Sequence, residues 1–184
     1  MPATRDVLPM LTVLGIDPSL TSTGWAIGAE EGITIGRIRC GELRGFQRLR
    51  AIHEEVEGLL RDCQPDLVVY EGYAMGKFLG KAFDRIELSG VLKYSIWGRK
   101  IPLLVVPPSS LKLFLTGNGR AEKEDMMREA SRLYGRLIRN SDEADALGLM
   151  VMGQCFSNRR ILPRDGRHYK RRALSGCELL DRDV

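Results

Sequence analysis

No apolar run in this chain approaches the roughly 20 residues that crossing a bilayer takes, so a membrane-spanning helix is not expected. The opening residues, Met1-Pro-Ala-Thr-Arg-Asp6, lack a charged stretch leading into an apolar one, and no secretory signal is read there. Cysteine is sparse and scattered. Cys40, Cys63, Cys155 and Cys177 form no Cys-x-x-Cys pair, which argues against a disulfide framework or a zinc site and for free thiols in a reducing, cytoplasmic setting. Histidine is sparser still, and His53 has no second histidine nearby, so it reads as a boundary or surface residue rather than a ligand. Hard-ion chemistry, if present, falls to oxygen.

What is there is an ordinary globular composition. The 184 residues are 43% hydrophobic and 28% charged, enough for one domain with a real core. The net charge of +4 is unevenly spread. Lys/Arg and Asp/Glu balance through Ser157, whereas from Asn158 onward there are 8 basic residues against 4 acids. A near-neutral body with a basic arm suits a nucleic-acid partner, and a solvated tail with no partner is the alternative. The expected organisation is a flexible leader over 1–10, one domain over 11–157, and a basic, partly disordered tail over 158–184.

The organising stretch is Val13-Leu-Gly-Ile-Asp-Pro-Ser-Leu-Thr-Ser-Thr-Gly-Trp-Ala-Ile27. A strand over Leu11–Asp17 delivers Asp17 at its exit, Pro18 breaks the ladder, and Thr23–Ala29 makes a second strand. A third, begun by Ile33, Ile35 and Ile38, runs to about Cys40 and completes an antiparallel meander. Phe46, Leu49, Ile52, Val56, Leu59, Leu60 and Cys63 recur at helical steps until Pro65. Asp66–Glu71 is a continuously apolar strand ending in a second acid. Lys77–Trp97 is a long helix whose core side is assigned to Phe83, Ile86, Gly90, Val91, Tyr94 and Trp97. Pro102–Pro107 is a buried strand, and Pro108–Leu115 a short helix capped by a serine, followed by the glycine-rich Thr116–Ala121 loop. Glu122–Tyr134 is helical with Met126, Ala130 and Leu133 inward. A last helix starts at Ser141 and carries Asp142 and Asp145 three apart, hence on one face. The fold class is α/β: a five-stranded mixed sheet, with strands 1–3 antiparallel and the others parallel, and helices on both faces.

Each of these residues has a plain reading beside a chemical one. Asp17-Pro18 initiates a turn, Glu71 opens a loop, Asp142 caps its helix, and Lys123 is a solvated lysine. Against that, an acid at a core-strand exit is costly to desolvate without a compensating cation. Several carboxylates that cannot all ionise together suit Mg²⁺ or Mn²⁺ in a two-metal phosphodiester site.

Gly15-Ile-Asp-Pro-Ser-Leu-Thr-Ser-Thr-Gly-Trp-Ala26, Val69-Tyr-Glu71, Gly119-Arg-Ala-Glu-Lys123 and Asp142-Glu-Ala-Asp-Ala-Leu147 resemble, in order and spacing, the RuvC Holliday-junction resolvases of the ribonuclease-H-like nucleases. The resemblance covers about residues 11 to 156. It implies that Asp17, Glu71, Asp142 and Asp145 hold two Mg²⁺ ions, with Mn²⁺ substituting. It also implies that Lys112 and Lys123 face the scissile phosphate. A homodimer would nick four-way DNA symmetrically and leave 5′-phosphates; the sequence names no helicase partner.

The chain departs from the family pattern where many members carry a phenylalanine three residues after the strand-exit glutamate. Here that position is Ala74, and Tyr73 or Phe78 would take over by stacking on a base. DNA contacts are expected from Tyr73, Lys77, Phe78, Lys81 and Arg120. In the tail they are expected from Arg159, Arg160, Arg164 and Arg167, with Lys170, Arg171 and Arg172 beside them. Three alternatives stand beside a junction resolvase: a broader branched-DNA debranching nuclease, a non-catalytic junction- or RNA-binding protein, and a sugar-kinase-like ATPase, for whose two lobes the chain is short.

Overall fold

A six-stranded mixed sheet in the order β3-β2-β1-β4-β5-β6 runs through the molecule. The computed structural model describes residues 11–73, 79–158 and 167–180, the side chains of 79–82 and 167 excepted. Strands β1 (Val13–Asp17), β2 (Thr23–Ala29) and β3 (Gly32–Ile38) form the antiparallel meander. β4 (Leu67–Glu71) and β5 (Leu103–Val106) continue it in parallel, each through a helical crossover. β6 (Glu178–Leu180) adds antiparallel to β5. The expected five strands are thus corrected to six. The sixth is three exposed residues within the segment read as a tail, and only pairing with β5 makes it a strand.

The sheet is covered on both faces because its central strands are apolar on both. Leu14, Ile16, Val68 and Tyr70 pack with α1 (Gly45–Cys63) and α2 (Leu79–Gly98). Val13, Val69, Leu104 and Val106 pack on the other side with α3 (Pro108–Thr116), α4 (Lys123–Tyr134) and α5 (Ser141–Ser157). Pro108 at the first turn of α3, after Pro107 in the capping position, replaces the expected serine cap. The Thr116–Ala121 loop is tied by its own side chains: Thr116 Oγ1 receives the Asn118 N–H, and Asn118 Oδ1 receives the Arg120 N–H.

The face assigned to α2 is reversed. Leu88, Ser89, Leu92 and Ile96 are buried, while Phe83, Ile86, Tyr94 and Trp97 are 51–74% exposed. Within the segment read as a tail, residues 167–180 carry a helix and β6. α6 (Arg167–Ser175) buries Ala173 and Leu174 against the core.

Candidate active site

Strand register alone brings two acids together. β1 and β4 run parallel with Ile16 beside Tyr70, so their terminal residues Asp17 and Glu71 stand side by side at the carboxyl edge. Adjacent strands lie about 4.8 Å apart.

Two glycines bring the third and fourth. Gly24 pairs with Asp17 across the β1–β2 ladder. A Cβ on Gly24 would lie 2.1 Å from the Asp142 carbonyl oxygen, and one on Gly15 would lie 2.4 Å from the Ala146 carbonyl oxygen. Only bare backbone admits α5 so close to β1 and β2. The helix therefore starts directly over the carboxyl end of β1, with Asp142 and Asp145 on a shared face. Its N-terminus is capped by Asn140, whose Oδ1 accepts from the Asp142 and Glu143 amides at 2.9 and 3.3 Å. The capping role offered for Asp142 thus belongs to Asn140, which leaves the Asp142 carboxylate for other work. Glu143 is held by Arg37 of β3 at 3.0 Å, a second tie on the same turn.

The electrostatics follow from this crowding. Asp17, 8% exposed, is pushed up to about 6, mainly by burial, with a hydrogen bond to Glu71 acting the other way and the Asp142 charge adding to the rise. Glu71 is raised well above the ordinary range by burial, then by Asp17 and Asp145. Asp145 is pushed up to about 7 by burial, Asp17 and Asp142. Cations offset this from two sides: Lys112 acts on Asp145, and Lys123 on Asp17 and Asp145. A lysine in the first turn of α4 opposes its helix dipole, and these acids supply the compensating charge. Arg85 of α2 acts on Asp17 and Glu71 from the opposite flank.

The carboxylates are close enough that Asp142 acts on Asp17 and Asp145, and these two act on Glu71. Among the described residues, however, no three close to the spacing that clasps an ion. The donor set is all oxygen with nearby lysines, which fits a hard divalent cation and a phosphate, and does not fit zinc.

Tyr73 is 40% exposed two residues beyond Glu71, its hydroxyl bonded to the Arg85 carbonyl at 2.9 Å. Lys93 Nζ lies 5.6 Å from its ring centre. Arg120 is exposed in its loop. Ala74, Lys77, Phe78, Arg159, Arg160 and Arg164, and the side chains of Lys81 and Arg167, lie outside the described residues. Lys170 is not available to DNA as expected, being 4% exposed with Nζ 5.1 Å above the Phe114 ring.

Sequence reasoning missed Arg85, Asn140 and the two glycines. Asn140 carries a local signal, a capping side chain just ahead of Ser141-Asp-Glu. Arg85 carries none, since only the packing of α2 brings it to the acids.

Comparison with known proteins adds an independent line. Residues 13–152 match the family model described as Crossover junction endodeoxyribonuclease RuvC. The RuvC of Anaeromyxobacter sp. (strain K) is 34% identical over 146 residues, covering 77% of this chain and 79% of that one. The RuvC of Nitratidesulfovibrio vulgaris (strain DP4) is 29% identical over 160 residues, covering 84% and 95%. The Thermus thermophilus RuvC structure superposes with a TM-score of 0.66 at 21% identity, covering 92% of this chain and 100% of that one. The same protein in complex with a Holliday junction substrate gives 0.68 at 20% identity, covering 92% and 99%. These likenesses show the ribonuclease-H-like fold. With the family match over most of its length, the chain belongs to the RuvC family of crossover junction endodeoxyribonucleases.

Proposed function

We propose that this chain is a structure-selective DNA endonuclease that resolves four-way junctions by paired, symmetric phosphodiester cleavage and leaves 5′-phosphates. One observation carries the reading. Asp17 and Glu71 end adjacent parallel strands, and the first turn of α5 lies on Gly24 directly across from Asp17. Family membership and a relative solved with junction DNA support the substrate.

Asp17, Glu71, Asp142 and Asp145 would hold two Mg²⁺ ions, with Mn²⁺ substituting. When bound, such ions supply Lewis-acid stabilisation of the reacting phosphate and an activated water. The chain's own residues do the rest. Asn140 and Arg37 fix the turn that carries Asp142, while Lys112 and Lys123 offset charge on the phosphate flanking the acids. Tyr73, tethered to α2 through its hydroxyl, offers a ring for an unpaired base where the family's phenylalanine is missing. Phe78, Lys77, Lys81, Arg120, Arg159, Arg160, Arg164 and Arg167 complete the proposed DNA contacts.

A homodimer is proposed on a separate observation. Phe83, Ile86, Gly90, Tyr94 and Trp97 follow steps of 3, 4, 4 and 3 along α2, forming an apolar seam opposite the buried face of that helix. A cytoplasmic location accords with four free cysteines.

The test is a synthetic immobile four-way junction read at nucleotide resolution. Paired nicks at symmetric positions are expected, with Asp142→Asn abolishing them and retaining binding. Cleavage that survives Asp142→Asn refutes the site. Equal rates on four-way, three-way and flap DNA would favour the broader debranching nuclease, which Ala74 motivates.

A further inference from the structure

Residues 167–180 lie beyond the family-matched stretch, which ends at 152, yet they fold onto the body. Among the described residues, the contacts that fasten α6 lie on one side of it. Lys170, Ala173 and Leu174 are buried, Tyr169 lies against Gly117, and Gly176 lies against the Ser110 hydroxyl. Positions 110, 114 and 117 share one side of α3 at 100° per residue, and Lys112 leaves α3 from the far side, toward Asp145. The two surfaces are thus separated by roughly a helix diameter, about 10 Å.

The free side of α6 presents His168, Arg171, Arg172 and Ser175, all exposed. The helix Arg-His-Tyr-Lys-Arg-Arg-Ala-Leu-Ser contains no acid. Exposed Arg120, in the loop that Tyr169 touches, extends the same charge.

We propose that α6 is a second DNA-contacting element, in which Arg171 and Arg172 hold the sugar-phosphate backbone of a duplex arm of the branched substrate, away from the bond being cut. The proposal rests on the endonuclease reading above. A solvated arm would lose chain entropy on every encounter, whereas arginines on a docked helix meet the phosphates already in place. Guanidinium forks suit phosphate oxygens, and backbone contact adds affinity without base preference. Burying Lys170 while exposing Arg171 and Arg172 divides the helix into an anchor side and a contact side.

The experiment compares full-length wild type, Arg171→Ala/Arg172→Ala and Arg171→Lys/Arg172→Lys. It measures binding to a four-way junction in Ca²⁺ across 50 to 200 mM salt, and single-turnover cleavage in Mg²⁺ at saturating enzyme. Loss of two phosphate contacts should make the log–log salt slope shallower by about 1.8. The wild-type advantage over the alanine variant should then shrink about tenfold across that salt range. Lysines should restore most of the slope, and saturated cleavage should be unchanged in all three. An unchanged slope in the alanine variant overturns the proposal while leaving the endonuclease reading intact. A slope lost equally in the lysine variant also overturns it, because a role of charge would be excluded. Wild type that binds junctions but cuts none sinks the endonuclease reading alone, and wild type that binds no DNA sinks both.

Discussion

Helices α5 and α2 cover opposite faces of one sheet, and both are largely apolar, but they put that apolarity to different uses. α5 buries residues all around, from Ala144 to Cys155, and rests on strand glycines so closely that a methyl group would meet its backbone. α2 buries one stripe and turns a second, equally apolar one outward. The first face fixes carboxylates to strand ends. The second stands exposed. Glycine marks the difference, since Gly15 and Gly24 are filled by α5, whereas a Cβ on Gly90 of α2 would meet nothing within 4 Å.

The sharpest way to break this contrast is to fill the glycines. Gly24→Ala should cost roughly 3 kcal/mol or more in urea unfolding, because the obstacle is rigid backbone. Where the variant still folds, cleavage should fall further than stability does, since Asp142 is displaced.

On the other face, Tyr94→Asp with Trp97→Asp should leave the fold intact. Dimer affinity in sedimentation should weaken about a hundredfold or more, as for paired interface anchors. A dimer that survives both charges would place the interface elsewhere.

The acids crowded under α5 carry a pH signature. Asp17 near 6 and Asp145 near 7 stand above the 3.8 of an ordinary carboxyl. Between about pH 4 and 7 the folded chain therefore holds protons that the unfolded chain has released, and this stability is lost as pH rises through the folded values. In EDTA the melting temperature should fall across that window. Asp145→Asn should flatten the fall and raise stability at pH 8 by on the order of 2 kcal/mol. A variant whose melting tracks wild type from pH 5 to 8 would show that Asp145 is not confined.

The mildest effects complete the comparison. Gly90→Ala should shift monomer stability by under about 1 kcal/mol, in the stabilising direction that helix propensity gives, while weakening self-association by widening the seam. Arg37→Ala should cost under about 1 kcal/mol, the usual worth of a partly exposed ion pair, with its larger signature in cleavage rate.

Much of this molecule is legible in the chain because its signals are local. Strands that end in acids, the Pro65 stop after α1 and the start of α5 at Ser141 need no tertiary information. The face of α2 is not legible in the sequence because both its stripes are apolar, and periodicity cannot say which one meets the sheet. β6 is three exposed residues, so nothing in Glu178-Leu-Leu180 announces a strand. α6 hides its docking side behind an arginine-rich composition, with Lys170 Nζ over the Phe114 ring. Asp17 and Glu71 were visible as strand exits, but their adjacency is a property of register, which no single stretch contains.

The late position of β6 has a consequence for biosynthesis. β5 is complete at Val106, but the residues that close its free edge do not leave the ribosome until after Leu180 has been joined. Until then the backbone of Leu103–Val105 that Glu178–Leu180 will pair lacks that partner, so the last stretch of chain to be made is the one that completes this edge of the sheet.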